Sequence, residues 1–139
     1  METMLEPQLE LEENTEPTRI LIVDDDPDQT LVLNYYLSRQ GFQIEIAHSA
    51  AEGKKKVSSF RPNLILLDIE LPDSSGFNVC QEITDDPITC EIPIIFVSGA
   101  EFDNALRDAR SAGCAFYVRK PYDPNVLLVL IQKTLDEAY

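Results

Sequence analysis

"LIVDDDPDQ" spans residues 21–29. An apolar run stops abruptly at Asp24, Asp25 and Asp26, and a proline follows. Like charges placed side by side are unfavourable unless water or a counter-charge offsets them. Asp26 is suited to cap a helix, because Pro27 then takes the favoured first helical position and Gln29 falls at the capping-box spacing. Asp24 and Asp25 are then left at the carboxyl end of the strand, where they need a cation or a chemical role.

Reading outward, the same strand-then-helix unit recurs. "RILIV" is a strand, and "DPDQTLVLNYYLSRQG" is a helix stopped by Gly41. "FQIEI" alternates as a strand does, and "SAAEGKKKVSSF" opens with Ser49 and Glu52 at capping-box spacing. "NLILLD" is a continuous apolar run, followed by a Pro/Gly loop and the short helix of "PDSSGFNVCQEITDD". "IPIIFVSGA" is another buried-type strand, and "EFDNALRDARSAG" is a helix stopped by Gly113. "AFYVRKP" is a fifth strand, and a last helix starts at the Asp123 cap with Pro124 next. Five βα units with apolar strands predict an α/β fold with a parallel sheet, buried on both faces and joined by right-handed crossovers.

In such sheets ligands bind beyond the carboxyl ends of the strands. Strand one ends at Asp24 and Asp25, strand three at Asp68, strand four at Ser98 and strand five at Lys120. A parallel sheet brings these to one edge. Three carboxylates that close do not all stay ionised unaided. Mg²⁺, a hard cation that takes a few oxygen ligands and keeps several waters, resolves the conflict in an open acidic crevice. The ammonium and the hydroxyl then complement a phosphoryl group, and a carboxylate serves as its acceptor.

With these motifs the sequence resembles the receiver domain of two-component response regulators, the CheY-like family. The resemblance covers about residues 18–139 and rests on "ILIVDDDP", "LILLDIELPDSSGF", "IPIIFVSGA" and "AFYVRKPY", in the family's order and spacing. It implies a flavodoxin-like (βα)5 fold with strand order 2-1-3-4-5. It also implies that Asp68 is the phosphoacceptor, with Asp25 a direct Mg²⁺ ligand, Asp24 a ligand through water and the backbone carbonyl of Glu70 a further oxygen. Ser98 and Lys120 match the phosphate-binding hydroxyl and lysine, and Tyr117 matches the switch aromatic. Pro121 matches a proline usually preceded by a cis bond, and Gly76 the glycine of the loop after the acceptor strand.

Composition bounds the function. The chain has 139 residues and a formal charge of −14, with 25 acids against 11 bases. A nucleic-acid surface needs a basic stripe, which this balance argues against. There is no apolar run long enough to span a membrane and no signal-peptide pattern, so a soluble cytoplasmic protein is expected. Residues 1–17, with six glutamates and no lysine or arginine, read as a flexible acidic tail. Cys80, Cys90 and Cys114 read as reduced thiols. His48 reads as a surface or edge residue, and the lysines at 54–56 as a solvated helix face.

The expected function is a signalling switch rather than an enzyme. A histidine kinase or phosphotransfer protein donates phosphoryl to Asp68, and the face of helix four, strand five and helix five then changes its binding. The expected partners on that face are a downstream protein target, an output domain or a second copy. Two rivals are a receiver-like binding module that is never phosphorylated and an aspartyl phosphohydrolase of the haloacid-dehalogenase type. The latter is disfavoured because Glu70 is not followed by a hydroxyl residue. The chain reads either as a single-domain regulator or as the N-terminal receiver of a longer protein. In the last helix "VLLVLI", Val126–Ile131, covers every side of the cylinder, so some of these residues are expected to face outward.

Overall fold

The computed structural model describes residues 16–99 and 102–139, with positions 102–106 described by backbone alone. Residues 1–15, most of the expected acidic tail, lie outside the described residues; Glu16 and Pro17 are exposed and carry no regular structure. Among the described residues five strands and five helices alternate. They are β1 Arg19–Val23, α1 Pro27–Ser38, β2 Gln43–Ala47, α2 Ala50–Phe60, β3 Leu64–Leu67, α3 Gly76–Asp85, β4 Ile94–Ser98, α4 Phe102–Ala112, β5 Phe116–Arg119 and α5 Pro124–Ala138. The strands form one sheet in the order β2-β1-β3-β4-β5, and every pair is parallel. This is the flavodoxin-like architecture expected from the sequence.

The caps explain where the helices begin. The Asp26 carboxylate accepts hydrogen bonds from the N–H groups of Asp28 and Gln29 at the start of α1. Ser49 Oγ accepts from Glu52 N at α2, and the Asp123 carboxylate accepts from Asn125 N at α5. Helix α1 stops at Ser38, earlier than the Gly41 signal suggests. Gly41, at φ 96°, instead makes the left-handed turn into β2.

The period of two along the strands divides the interior. Leu21, Val23, Ile65, Leu67 and Phe96 face α2, α3 and α4, whereas Ile20, Ile22, Leu64, Leu66 and Ile95 face α1 and α5. β1, β3 and β4 are thus covered on both sides, which is why they are apolar between Arg19 at the start of β1 and Ser98 at the end of β4.

Two helix faces need comment. In α5, Leu127 and Ile131 are fully buried and Leu128 and Leu130 half-buried, but Val126 and Val129 are 53% and 61% exposed. The expected outward apolar residues are therefore these two. The lysine run is not uniformly solvated. Lys54 and Lys55 are exposed, but Lys56 is half-buried, donates to the Ile46 carbonyl at 2.6 Å and pairs with Glu45 and Glu52. Its methylenes cover apolar surface while its ammonium finds acceptors at the strand edge.

Ile65 is fully buried in the central strand, and Ile88 is 87% exposed after α3. Ile65→Ala is expected to destabilise by about 2–5 kcal/mol, through lost transfer energy and a residual cavity. Ile88→Ala is expected to stay within about 0.5 kcal/mol. Urea denaturation of the two variants checks the contrast.

Candidate functional site

The register of the sheet builds the site. Val23 pairs with Leu67, so the next residues, Asp24 and Asp68, leave their strands side by side. The ladder continues one step beyond them: Asp24 N donates to Ala47 O at 3.0 Å and Asp68 N to Val23 O at 2.9 Å. Both carboxylates are therefore held on hydrogen-bonded backbone. Ser98, at the end of β4, is fully buried, and its carbonyl accepts from Lys120 N at 2.9 Å. The Lys120–Pro121 bond is cis.

Lys120 reaches across this edge. Its Nζ lies 2.7 Å from Asp24 Oδ2 and 3.0 Å from Asp68 Oδ2. The other oxygens are fixed by backbone donors: Asp26 N donates to Asp24 Oδ1 at 3.0 Å, and Glu70 N to Asp68 Oδ1 at 3.2 Å. Asp25 is exposed, yet one oxygen from each of Asp24, Asp25 and Asp68 lies within 4.8 Å of the others. The cluster is thus buried on one side and open to water on the other.

The electrostatics follow from this placement. Burial raises the Asp24 carboxyl above its usual range, and the neighbouring Asp68 charge adds to the rise against the opposing bonds from Lys120 and Asp26. Burial disfavours the Lys120 ammonium, but its hydrogen bonds and attraction to Asp24 and Asp68 outweigh that and hold its pKa above normal. The Tyr117 hydroxyl is buried beside Ser98; burial raises its pKa, and the bond to Ser98 opposes the rise. Gly76 opens α3 hard against the residues that follow β3. A Cβ there would collide with the Asp68 carbonyl oxygen and sit 2.8 Å from Ile69 Cα.

The structure brings Asp24, Asp25, Asp68, Glu70, Ser98, Lys120 and Pro121 to one edge, with Gly76 against the Asp68 backbone, whereas Tyr117 stands within β5, opposite Phe96. The Asp26 carboxylate caps α1 and is not one of the three that converge; only its N–H reaches Asp24. His48 is exposed, as expected, but its ring Nδ1 lies 3.4 Å from the Asp24 carbonyl oxygen, which puts it at the rim of the site. Two further features went unread. Asp73, in the loop after Asp68, accepts from Ala50 N and Ala51 N of α2. Leu31, Val32 and Tyr35 form an exposed face of α1. An aspartate in a Pro/Ser loop reads as a turn residue, and nothing in the sequence names its partner.

Comparison with known proteins agrees with this geometry. Residues 20–132 match the family model of the response regulator receiver domain. The chain is 32% identical over 117 residues to the protein PilH of Pseudomonas aeruginosa, covering 84% of this chain and 97% of that one. It is 36% identical over 119 residues to the transcriptional regulatory protein AfsQ1 of Streptomyces coelicolor, covering 86% of this chain and 51% of that protein. It is 30% identical over 117 residues to the DNA-binding dual master transcriptional regulator RpaA of Synechocystis, covering 84% of this chain and 48% of that protein. The chain thus spans about half the length of most of the curated relatives compared. Among solved structures, a CheY-like receiver domain protein from Methanospirillum hungatei superposes with a TM-score of 0.84 at 33% identity, covering 88% of this chain and 97% of that one.

Removing the ammonium should expose the repulsion it offsets. Lys120→Met is expected to destabilise the metal-free protein by roughly 2–3 kcal/mol, less than a fully buried broken pair because one side of the cluster is open to water. Adding Asp24→Asn to that variant is expected to restore part of the loss. Chemical denaturation of the single and double variants measures both effects.

Proposed function

This chain belongs to the response regulator receiver domain family, and from that premise we propose that it is a phosphoacceptor switch in which Asp68 is the acceptor. The observation that carries the reading is the contact of Asp68 with both Lys120 and the acidic cluster, at the carboxyl edge of a parallel sheet. In the proposed step an Asp68 carboxylate oxygen attacks the phosphorus of a phosphohistidine on a histidine kinase or phosphotransfer protein. The P–O bond forms as the P–N bond breaks, and the imidazole nitrogen leaves with the electron pair and picks up a proton. The product is an acyl phosphate on Asp68.

The donor set fits a hard divalent cation. Three carboxylates converge, one is open to water, and burial with repulsion already raises Asp24. Asp24, Asp25, Asp68 and the backbone carbonyl of Glu70 would hold Mg²⁺, which when bound offsets charge on the phosphoryl oxygens. Lys120 pairs with the incoming phosphoryl group, a role that suits an ammonium already held at the Asp68 carboxylate. Ser98 donates its hydroxyl to that group, and the neighbouring Tyr117 repacks in response.

Two surfaces suit the partners of such a switch. A groove of about 330 Å³ lined by Val32, Pro121, Tyr122 and Pro124 opens beside Lys120, where a phosphodonor must approach. On the other flank of α5 the exposed Val126 and Val129 offer an apolar contact to a target, an output domain or a second copy. The switch acts in the cytoplasm, where kinase and target are available; no helix among the described residues is long and apolar enough to cross a membrane.

Incubation with acetyl phosphate and Mg²⁺ is expected to add one phosphoryl group by intact mass in the wild type and none in Asp68→Asn. Continuous turnover of the donor would favour a hydrolase, and no reaction would favour an inert binding module. For the output surface, light scattering of wild type and Val129→Glu, with and without phosphorylation, is expected to show association only for the phosphorylated wild type. A monomer in every state, with no partner captured through this face, removes that part of the reading.

A further inference from the structure

The loop from Ile69 to Ser75 is tied at both ends. At its neck Gly76 N donates to Ile69 O at 2.7 Å, and Glu70 bridges Ser75 in antiparallel fashion. At its tip Asp73 grips another element: Oδ1 accepts from Ala50 N at 2.8 Å and Oδ2 from Ala51 N at 2.9 Å. These are the first two N–H groups of α2, which have no partner within the helix. Ser49 Oγ serves Glu52 N, so the cap of α2 is shared between its own serine and a carboxylate from the loop after Asp68. The two donors, Ala51 first and then Ala50, hold the Asp73 carboxyl below its usual range.

Helix α2 is a firm anchor for such a grip. Gly53 lies so near β1 that a Cβ on it would meet Val23 Cγ1 at 3.1 Å and Cγ2 at 3.2 Å. Val23 directly precedes Asp24. The first turn of α2 is therefore set by close packing relative to the strand end that carries Asp24 and Asp25. The loop tip has other ties, but they differ in kind. Asn78, in the adjoining first turn of α3, donates to Ser74 Oγ at 3.3 Å, and Leu71 packs on the core. The two bonds of Asp73 fix direction.

We propose that Asp73 is a positioning residue for phosphorylation: by tying the β3–α3 loop to α2, it holds Glu70 in register with Asp24 and Asp25. Glu70 matters twice. Its N–H orients the Asp68 carboxylate, and its carbonyl is the proposed fourth protein ligand of Mg²⁺. The inference rests on the reading of Asp68 and its metal site given above. Changing an outer partner that orients a ligand typically costs about 10- to 100-fold in metal affinity. Coupling of this kind is reciprocal, so Mg²⁺ binding must in turn tighten the Asp73 bonds.

The test compares wild type, Asp73→Ala and Asp73→Asn, all well below their melting temperatures. Mg²⁺ affinity is measured by titration, and hydrogen exchange at the Ala50 and Ala51 amides is followed with and without Mg²⁺. In the wild type Mg²⁺ is expected to slow exchange at both amides. Asp73→Ala is expected to bind Mg²⁺ about 10-fold more weakly, the lower end of the outer-partner range. It is also expected to accept phosphoryl from acetyl phosphate slowly at low Mg²⁺ and normally at saturating Mg²⁺. Asp73→Asn, which keeps one acceptor oxygen, is expected to recover part of the affinity. If Asp73→Ala only lowers the melting temperature, with Mg²⁺ affinity unchanged, Asp73 is a helix cap and the inference falls. If Mg²⁺ leaves both amides unaffected in the wild type, it falls too. A wild type that binds no Mg²⁺ overturns the proposed function along with it.

Discussion

Asp24 and Asp68 stand side by side because their strands pair in parallel register, and a cation must reach the same edge to offset their repulsion. Lys120 does so at 2.7 Å and 3.0 Å, leaving the end of the far edge strand just before the cis bond to Pro121. That one contact sets requirements on the whole sheet. β5 must lie beside β4, which places Lys120 within reach, and β4 must separate it from β3. The backbone bond from Lys120 N to Ser98 O holds the lysine's stem in place. The elevated pKa of Lys120 is the electrostatic signature of a cation retained by two acids despite its own burial.

Much of this was legible in the sequence because a parallel sheet sends every strand's carboxyl end to the same place. The apolar cores of the first, third and fourth strands, "ILIV", "LILL" and "IIFV", announce themselves as two-sided strands by lacking polar positions. The residue that follows each, Asp24, Asp68 or Ser98, is then a site candidate by topology alone. Caps were equally readable: Asp26, Ser49 and Asp123 sit at local spacings that specify their backbone partners. What could not be read were choices made by tertiary packing. Helix α1 carries apolar residues on all sides, and contact with β1, β3 and α5 decides that Leu33 and Leu37 go inward while Leu31, Val32 and Tyr35 stay exposed. Lys56 looked like its two neighbours until the edge of β2 supplied acceptors.

Asp73 illustrates the same limit for polar groups. Its partners, Ala50 and Ala51, precede it by more than twenty residues and bond through their backbone, so no side-chain pattern marks them. A backbone donor is generic in sequence and specific only in space. The glycines are intermediate cases. Gly76 was assigned through its motif, whereas the role of Gly53, an unremarkable residue before a lysine run, depends on the approach of α2 to Val23.

The sheet divides the interior into two apolar cores, one beneath α2, α3 and α4 and one beneath α1 and α5. Side chains on opposite faces of the same strand do not touch each other, so substitutions on the two sides combine almost additively. This gives the chain a form of evolutionary modularity. The exposed surfaces of α1 and α5 can drift without disturbing the packing that holds the β3–α3 loop and α2. The loop can be retuned in turn without altering those surfaces. Only the row of residues at the sheet's carboxyl edge belongs to both compartments, and there the freedom to vary ends.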